Sequence, residues 1–168
     1  LQINRNASHG MTDLGASLDE LQALCPNLEE VGLIVTWFGN DLRAQHCQLR
    51  PAVMYNTASG HSMPWQVSGT PRNVAPTITL HGGALAYGGT PSDNSVMHCI
   101  AEIRQRGLKV TLCPFIMMDI PPGNSLPSPY GGTGQPQHPW RGRITCHPAP
   151  GEPGSVDKTA AARAQVEA

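Results

Sequence analysis

Two carboxylates in this sequence stand where an apolar run gives way to polar loop: Asp41 in "TWFGNDLR" and Asp119 in "FIMMDIPPG". Carboxyl groups at strand ends are the residue type that glycoside hydrolysis uses in pairs, about 5 Å apart for retention and about 6.5–9.5 Å apart for inversion. An aromatic ring beside hydrogen-bonding groups is what sugar recognition asks for, because a pyranose has an apolar face and a rim of hydroxyls. Trp37, Asp41 and Asp119 are therefore the first candidates to line a glycan groove, with Arg43 and Trp140 behind them. Each also has a plain structural use. Trp37 can be the last core residue of its strand, Asp41 can pair with Arg43 or cap a turn, and Asp119 can bond N–H groups of its own turn. His81, in "TLHGG", can face the same mouth or bond to backbone. No acid and nucleophile are assigned, since only Asp41 and Asp119 end clearly patterned strands and Asp93 fits better as a helix cap.

These residues need elements to carry them. "SLDELQALCPN" has Ser17 and Glu20 at capping-box spacing, Leu18, Leu21 and Leu24 at helical spacing, and Pro26 as a stop. Val31–Phe38 follows, apolar nearly throughout, as a strand buried on both faces would be. A second unit repeats the order: Ser92 or Asp93 caps "NSVMHCIAEIRQR", Val96, Ile100 and Ile103 share a face, Gly107 stops the helix, and Val110–Met118 resumes as a strand. Two helix-to-buried-strand steps predict an α/β fold with a parallel sheet. In parallel barrels and open sheets the functional residues sit at the C-terminal strand ends, where Asp41 and Asp119 lie.

The stretches between are less regular. "QLRPAV", "WQVSG" and "APTITLHGG" read as short strands, and "YNTASGHSMP" reads as a surface loop. "GGALAYGGTPSD" is glycine-rich but lacks the context of a phosphate cradle. From Asp119 to Ser155 the chain places nine of its 16 prolines and seven of its 18 glycines, which predicts a long loop, with "RGRITC" as one brief strand in it. Tyr130, Trp140 and Arg141 favour an ordered path for that loop.

With 11 Lys+Arg against 12 Asp+Glu, the chain shows no footprint for nucleic acid. Its apolar runs are too short for a membrane-spanning helix, and no signal segment opens it. Five cysteines, Cys25, Cys47, Cys99, Cys113 and Cys146, lack zinc-like spacing and read as reduced core thiols. A metal held by His46-Cys47 and Cys146-His147 is the lesser alternative, and no cofactor is expected. The chain opens on Leu1 and closes on "DKTAAARAQVEA", a helix barely begun, so both ends read as cuts from a longer protein.

Four long stretches, "CPNLEEVGLIVTWFGNDLRAQHCQLRP", "AYGGTPSDNSV", "GLKVTLCPFIMMDIPPGNSLP" and "PWRGRITCHPAPGEPGSVDKTAAA", carry a family resemblance. The sequence resembles the N-terminal part of the glycoside-hydrolase TIM-barrel-like domain of gene transfer agent and phage tail proteins, from about Leu14 onward. The resemblance implies residues 1–168 of an incomplete (β/α)8 barrel whose residues 119–155 form a long loop. It implies a place on a virion or gene transfer agent tail, assembled in the bacterial cytoplasm beside other tail and baseplate subunits. Two functions then stay open: a tail component that contacts the host envelope and binds glycan, or an active glycoside hydrolase that cleaves wall or capsule during DNA delivery. A free-standing enzyme of polysaccharide turnover is a third class. In hydrolase barrels of this kind the acidic pair comes from later strands, so the catalytic residues are expected beyond Ala168. The fold by itself selects none of these.

Overall fold

Thr12, rather than Ser17, starts the first helix. Its hydroxyl accepts from the Gly15 N–H, and the helix runs from Asp13 with that acid in its first turn. The computed structural model describes residues 12–57, 64–139 and 143–168. The elements are α1 (Asp13–Leu24), β1 (Glu30–Gly39), β2 (Gln66–Val67), β3 (Thr70–Pro71), β4 (Leu80–His81), β5 (Ala84–Leu85), α2 (Asp93–Gln105), β6 (Lys109–Met118) and α3 (Ala160–Glu167). A 3-10 turn at Ala44–His46 follows β1.

β1 and β6 form a two-stranded parallel sheet. Lys109 N–H donates to the Glu29 carbonyl at one end and Asp119 N–H to the Gly39 carbonyl at the other, with the same offset in residue number, as parallel pairing requires. That register turns odd-numbered β6 residues toward β1, so Pro114 faces away. A strand edge with no partner tolerates a residue that lacks an N–H. The architecture is thus mixed α/β with a parallel pair, and closure into a barrel is not seen among the described residues.

The chain divides into two compact units. In the first, Leu18 of α1, Ile103 of α2 and Leu108 are buried together, with Leu28, Val31, Cys99 and Val110 packed on them. The α2 step follows the sequence closely. Ser92 caps the helix by accepting from the Ser95 N–H, and Gly107 ends it at φ 76°, a conformation that costs glycine no Cβ clash. β2 and β3 pair as a hairpin, and the Ser68 N–H donates to the Asp93 carboxylate.

In the second unit, Phe38, Ala52 and Ile78 form one buried cluster, and Leu42, Met118 and Ile120 another. β4 and β5 form a two-residue hairpin across Gly82 and Gly83, whose positive φ of 59° and 83° suits a tight turn. "QLRPAV" and "APTI" contribute single bridges, Phe38 with Arg50 and Val53 with Thr77, instead of strands. "RGRITC" likewise gives one bridge, Arg43 with Thr145; Arg141 and Trp140 lie outside the described residues, as does part of "YNTASGHSMP".

Burial corrects two expectations. β1 and β6 are not covered on both faces: Ile34 is 62% exposed, Leu112 52% and Ile116 36%. A two-stranded sheet covers too little of its own surface to hide both faces. The cysteines are all free, but only Cys146 is buried; Cys25 is exposed and the other three are half-buried. The exposed apolar residues and the open edges of the pair lead to a prediction. The 168-residue chain on its own should self-associate, and Ile34→Lys with Leu112→Lys should shift it toward monomer in sedimentation velocity. A wild-type chain that stays monomeric at high concentration would contradict this.

Candidate functional site

The C-terminal ends of β1 and β6 each carry a carboxylate, and each carboxylate receives a side chain from the Pro/Gly-rich loop. Asp119 N–H donates to Gly39 at the last pairing of the sheet, so Asp41 and Asp119 leave the pair at the same end. The loop returns over this end through His138, whose N–H donates to the Ile120 carbonyl. Three residues earlier it places Gln135, itself 4% exposed.

The Asp41 carboxylate is held by four hydrogen bonds. Its Oδ1 accepts from the Arg43 N–H at 2.8 Å, Arg43 Nε at 3.0 Å and Gln135 Nε2 at 2.7 Å, and its Oδ2 accepts from Arg43 Nη2 at 2.7 Å. Gln135 Oε1 accepts from the Leu42 N–H, and its amide also donates to the Pro127 carbonyl. Gln135 is therefore a fully bonded strut between β1's end and the loop. Burial pushes the Asp41 carboxyl up, but the hydrogen bonds from Arg43 and Gln135 outweigh it and hold it below the ordinary carboxylate range. The same pairing raises the Arg43 guanidinium. Asp41 thus forms, with Arg43, a largely buried ion pair, the pairing that its place two residues before Arg43 allowed.

Asp119 has a different surrounding. The Thr79 hydroxyl lies 2.6 Å from Asp119 Oδ1 and 2.6 Å from His138 Nε2, and the Thr79 N–H donates to Oδ2 at 3.2 Å. His138 Nε2 is 3.7 Å from Oδ1, with the two side chains 8% and 12% exposed. The Tyr87 and His81 rings meet the His138 ring edge-on at 5.8 and 5.4 Å. Tyr87 donates to the Met118 carbonyl at 3.3 Å, and burial together with the nearby Asp119 charge raises its phenol. Among the described residues, Asp119 is thus held by the Thr79 hydroxyl and N–H, with the His138 imidazole at 3.7 Å and the Tyr87 phenol close enough to feel its charge.

Trp37 does not join this group. Successive strand residues face opposite ways, so Trp37 lies on the face of β1 opposite Phe38, which packs against Tyr87 at 5.9 Å. Trp140 lies outside the described residues. The ring that the structure does bring beside Asp119 is Tyr87. Thr79, Tyr87, Gln135 and His138 were not singled out from sequence. A lone His before a proline and a Thr in an alternating run carry no local signal, since what joins them to Asp119 is tertiary contact. His81 was singled out, and it lies at this mouth.

No group of three His, Cys, Asp or Glu side chains among the described residues has metal-binding geometry. No described helix is long and apolar enough to cross a membrane. Compared with known proteins, the chain matches no family model and no curated protein.

Proposed function

We propose that this chain is the first part of a glycoside-hydrolase-like barrel domain on a phage or gene transfer agent tail, where it contacts the host envelope and binds glycan. The observation that carries the binding reading is the Asp119–Thr79–His138 cluster beside Tyr87, at the C-terminal end of a parallel strand. Acceptor groups next to an aromatic ring match the hydroxyl rim and apolar face of a pyranose. The long sequence stretches that resemble tail proteins support the setting, and the two helix-to-parallel-strand steps suit a barrel. In a closed barrel, the strand beside β6 would have to forgo the one donor that Pro114 lacks.

Binding is favoured over cleavage for a specific reason. Hydrolysis needs two carboxyl groups free to act on one bond, and Asp41, the other strand-end carboxylate among the described residues, is tied to Arg43 and Gln135, so a cleaving pair would need a carboxyl group from elsewhere in the domain. The test is titration calorimetry of the full-length protein with oligosaccharides released from bacterial envelopes, run beside a reducing-end assay. Saturable heat without new reducing ends is expected. Absence of binding would overturn the reading, and steady release of reducing ends would replace it with the hydrolase. In the same titration Trp37→Ala, if it stays folded by circular dichroism, should bind within about twofold of wild type, since Trp37 lies on the strand face opposite Phe38 and Tyr87.

A further inference from the structure

The Thr79 hydroxyl has one proton and two neighbours at 2.6 Å, Asp119 Oδ1 and His138 Nε2. An ionised carboxylate can only accept, so the hydroxyl proton goes to Asp119. The Thr79 oxygen must then be the acceptor for His138, which fixes the imidazole as Nε2–H. Nδ1 is buried and has no hydrogen-bond partner among the described residues. In the neutral ring, the alternative tautomer would place a buried, unpaired N–H at Nδ1, so the Nε2–H tautomer, with a bare lone pair on Nδ1, is the favoured one.

We propose that this relay, Asp119 to Thr79 to His138, locks one tautomer so that His138 Nδ1 accepts a hydrogen bond from a ligand hydroxyl. Among the described residues, Asp119 Oδ2 accepts from the Thr79 N–H at 3.2 Å, a donor it shares with Oδ1 at 3.4 Å, and keeps a second acceptor position. Both positions are acceptors, so the ligand must donate hydrogen bonds to them, as the hydroxyls of a polyhydroxy compound do. His81 is exposed and stands edge-on to the His138 ring at 5.4 Å, and a ligand reaching the buried Nδ1 would have to displace a side chain such as this one. Tyr87, the other ring against His138, remains anchored to the Met118 carbonyl. Thr79 is a positioning residue here, acting through His138. Naming the ligand a sugar rests on the glycan reading above; the tautomer does not.

The test has two arms. Imidazole nitrogen-15 spectra of the full-length protein near pH 7, without ligand, should show His138 with Nε2 protonated and Nδ1 bare. Thr79→Val, which keeps the side-chain shape, should give a tautomer mixture while the amide spectrum stays folded. A protonated Nδ1 in the wild type, or an unchanged lock in Thr79→Val, overturns the relay. In the second arm, envelope oligosaccharides should move the Nδ1 resonance in the direction of hydrogen bonding, and His138→Phe should weaken their binding about tenfold, as loss of one buried hydrogen bond implies. No binding by the wild type would sink the glycan reading and leave the relay to the first arm. Wild-type binding that His138→Phe leaves undiminished would sink the assignment of Nδ1 alone.

Discussion

Replacing Asp41 with Ala should destabilise the fold by about 3 kcal/mol or more, the largest effect expected of any single change near the strand ends. The carboxylate accepts four hydrogen bonds, from the Arg43 N–H, Arg43 Nε and Nη2, and Gln135 Nε2, and the Arg43 side chain is only 13% exposed. Its removal strands a guanidinium and an amide away from water. Urea unfolding followed by circular dichroism measures the loss; a change under 1 kcal/mol would show that the ion pair is solvated. The same carboxylate sets an acid limit. Its folded form titrates below the ordinary value near 3.9, so its contribution is fully present above that value and is lost as pH falls through the lower, folded one. Wild-type stability should therefore decline below about pH 4, and Asp41→Asn should flatten that decline.

Ile103→Ala should cost about 3 kcal/mol, within the 2–5 kcal/mol range for truncating a buried aliphatic side chain. Ile103 is 1% exposed and packs with Leu18 at 4% and Leu108 at 6%, so α1, α2 and the start of β6 all lean on it. The cavity left cannot close without moving α1 against α2. Thermal or urea unfolding checks this, and Met97→Ala is the internal control. Met97 is 62% exposed on the same helix, so its loss should fall within about 0.5 kcal/mol of wild type.

What the sequence made readable was local. The α2 step was legible because its signals lie within a few residues of the geometry they cause: Ser92 bonds the Ser95 N–H, Ile103 recurs at helical spacing, and Gly107 takes a left-handed φ. The parallel pairing of β1 and β6 followed from two such steps. Burial was misjudged because a run such as "VGLIVTWF" reports what a strand tolerates on its faces, not whether anything covers Ile34. The start of α1 was misplaced because Thr12 and Ser17 offer similar caps, and Thr12 gains the extra turn that carries Asp13. Only half of the candidate site was visible. Asp41 and Asp119 announced themselves at strand ends, while Gln135 reaches Asp41 across 94 residues and Thr79 reaches His138 across 59. Pairings that distant leave no periodicity to read.

The reading that the end of β6 is a glycan site is tested most directly by amide and imidazole shifts of the full-length protein during titration with envelope oligosaccharides. Saturable shifts centred on Thr79, His81, Tyr87, Asp119 and His138 are predicted, with Asp119→Asn weakening the interaction about tenfold through loss of a charged acceptor. Saturation with those residues unmoved, or binding unaltered in Asp119→Asn, would contradict it.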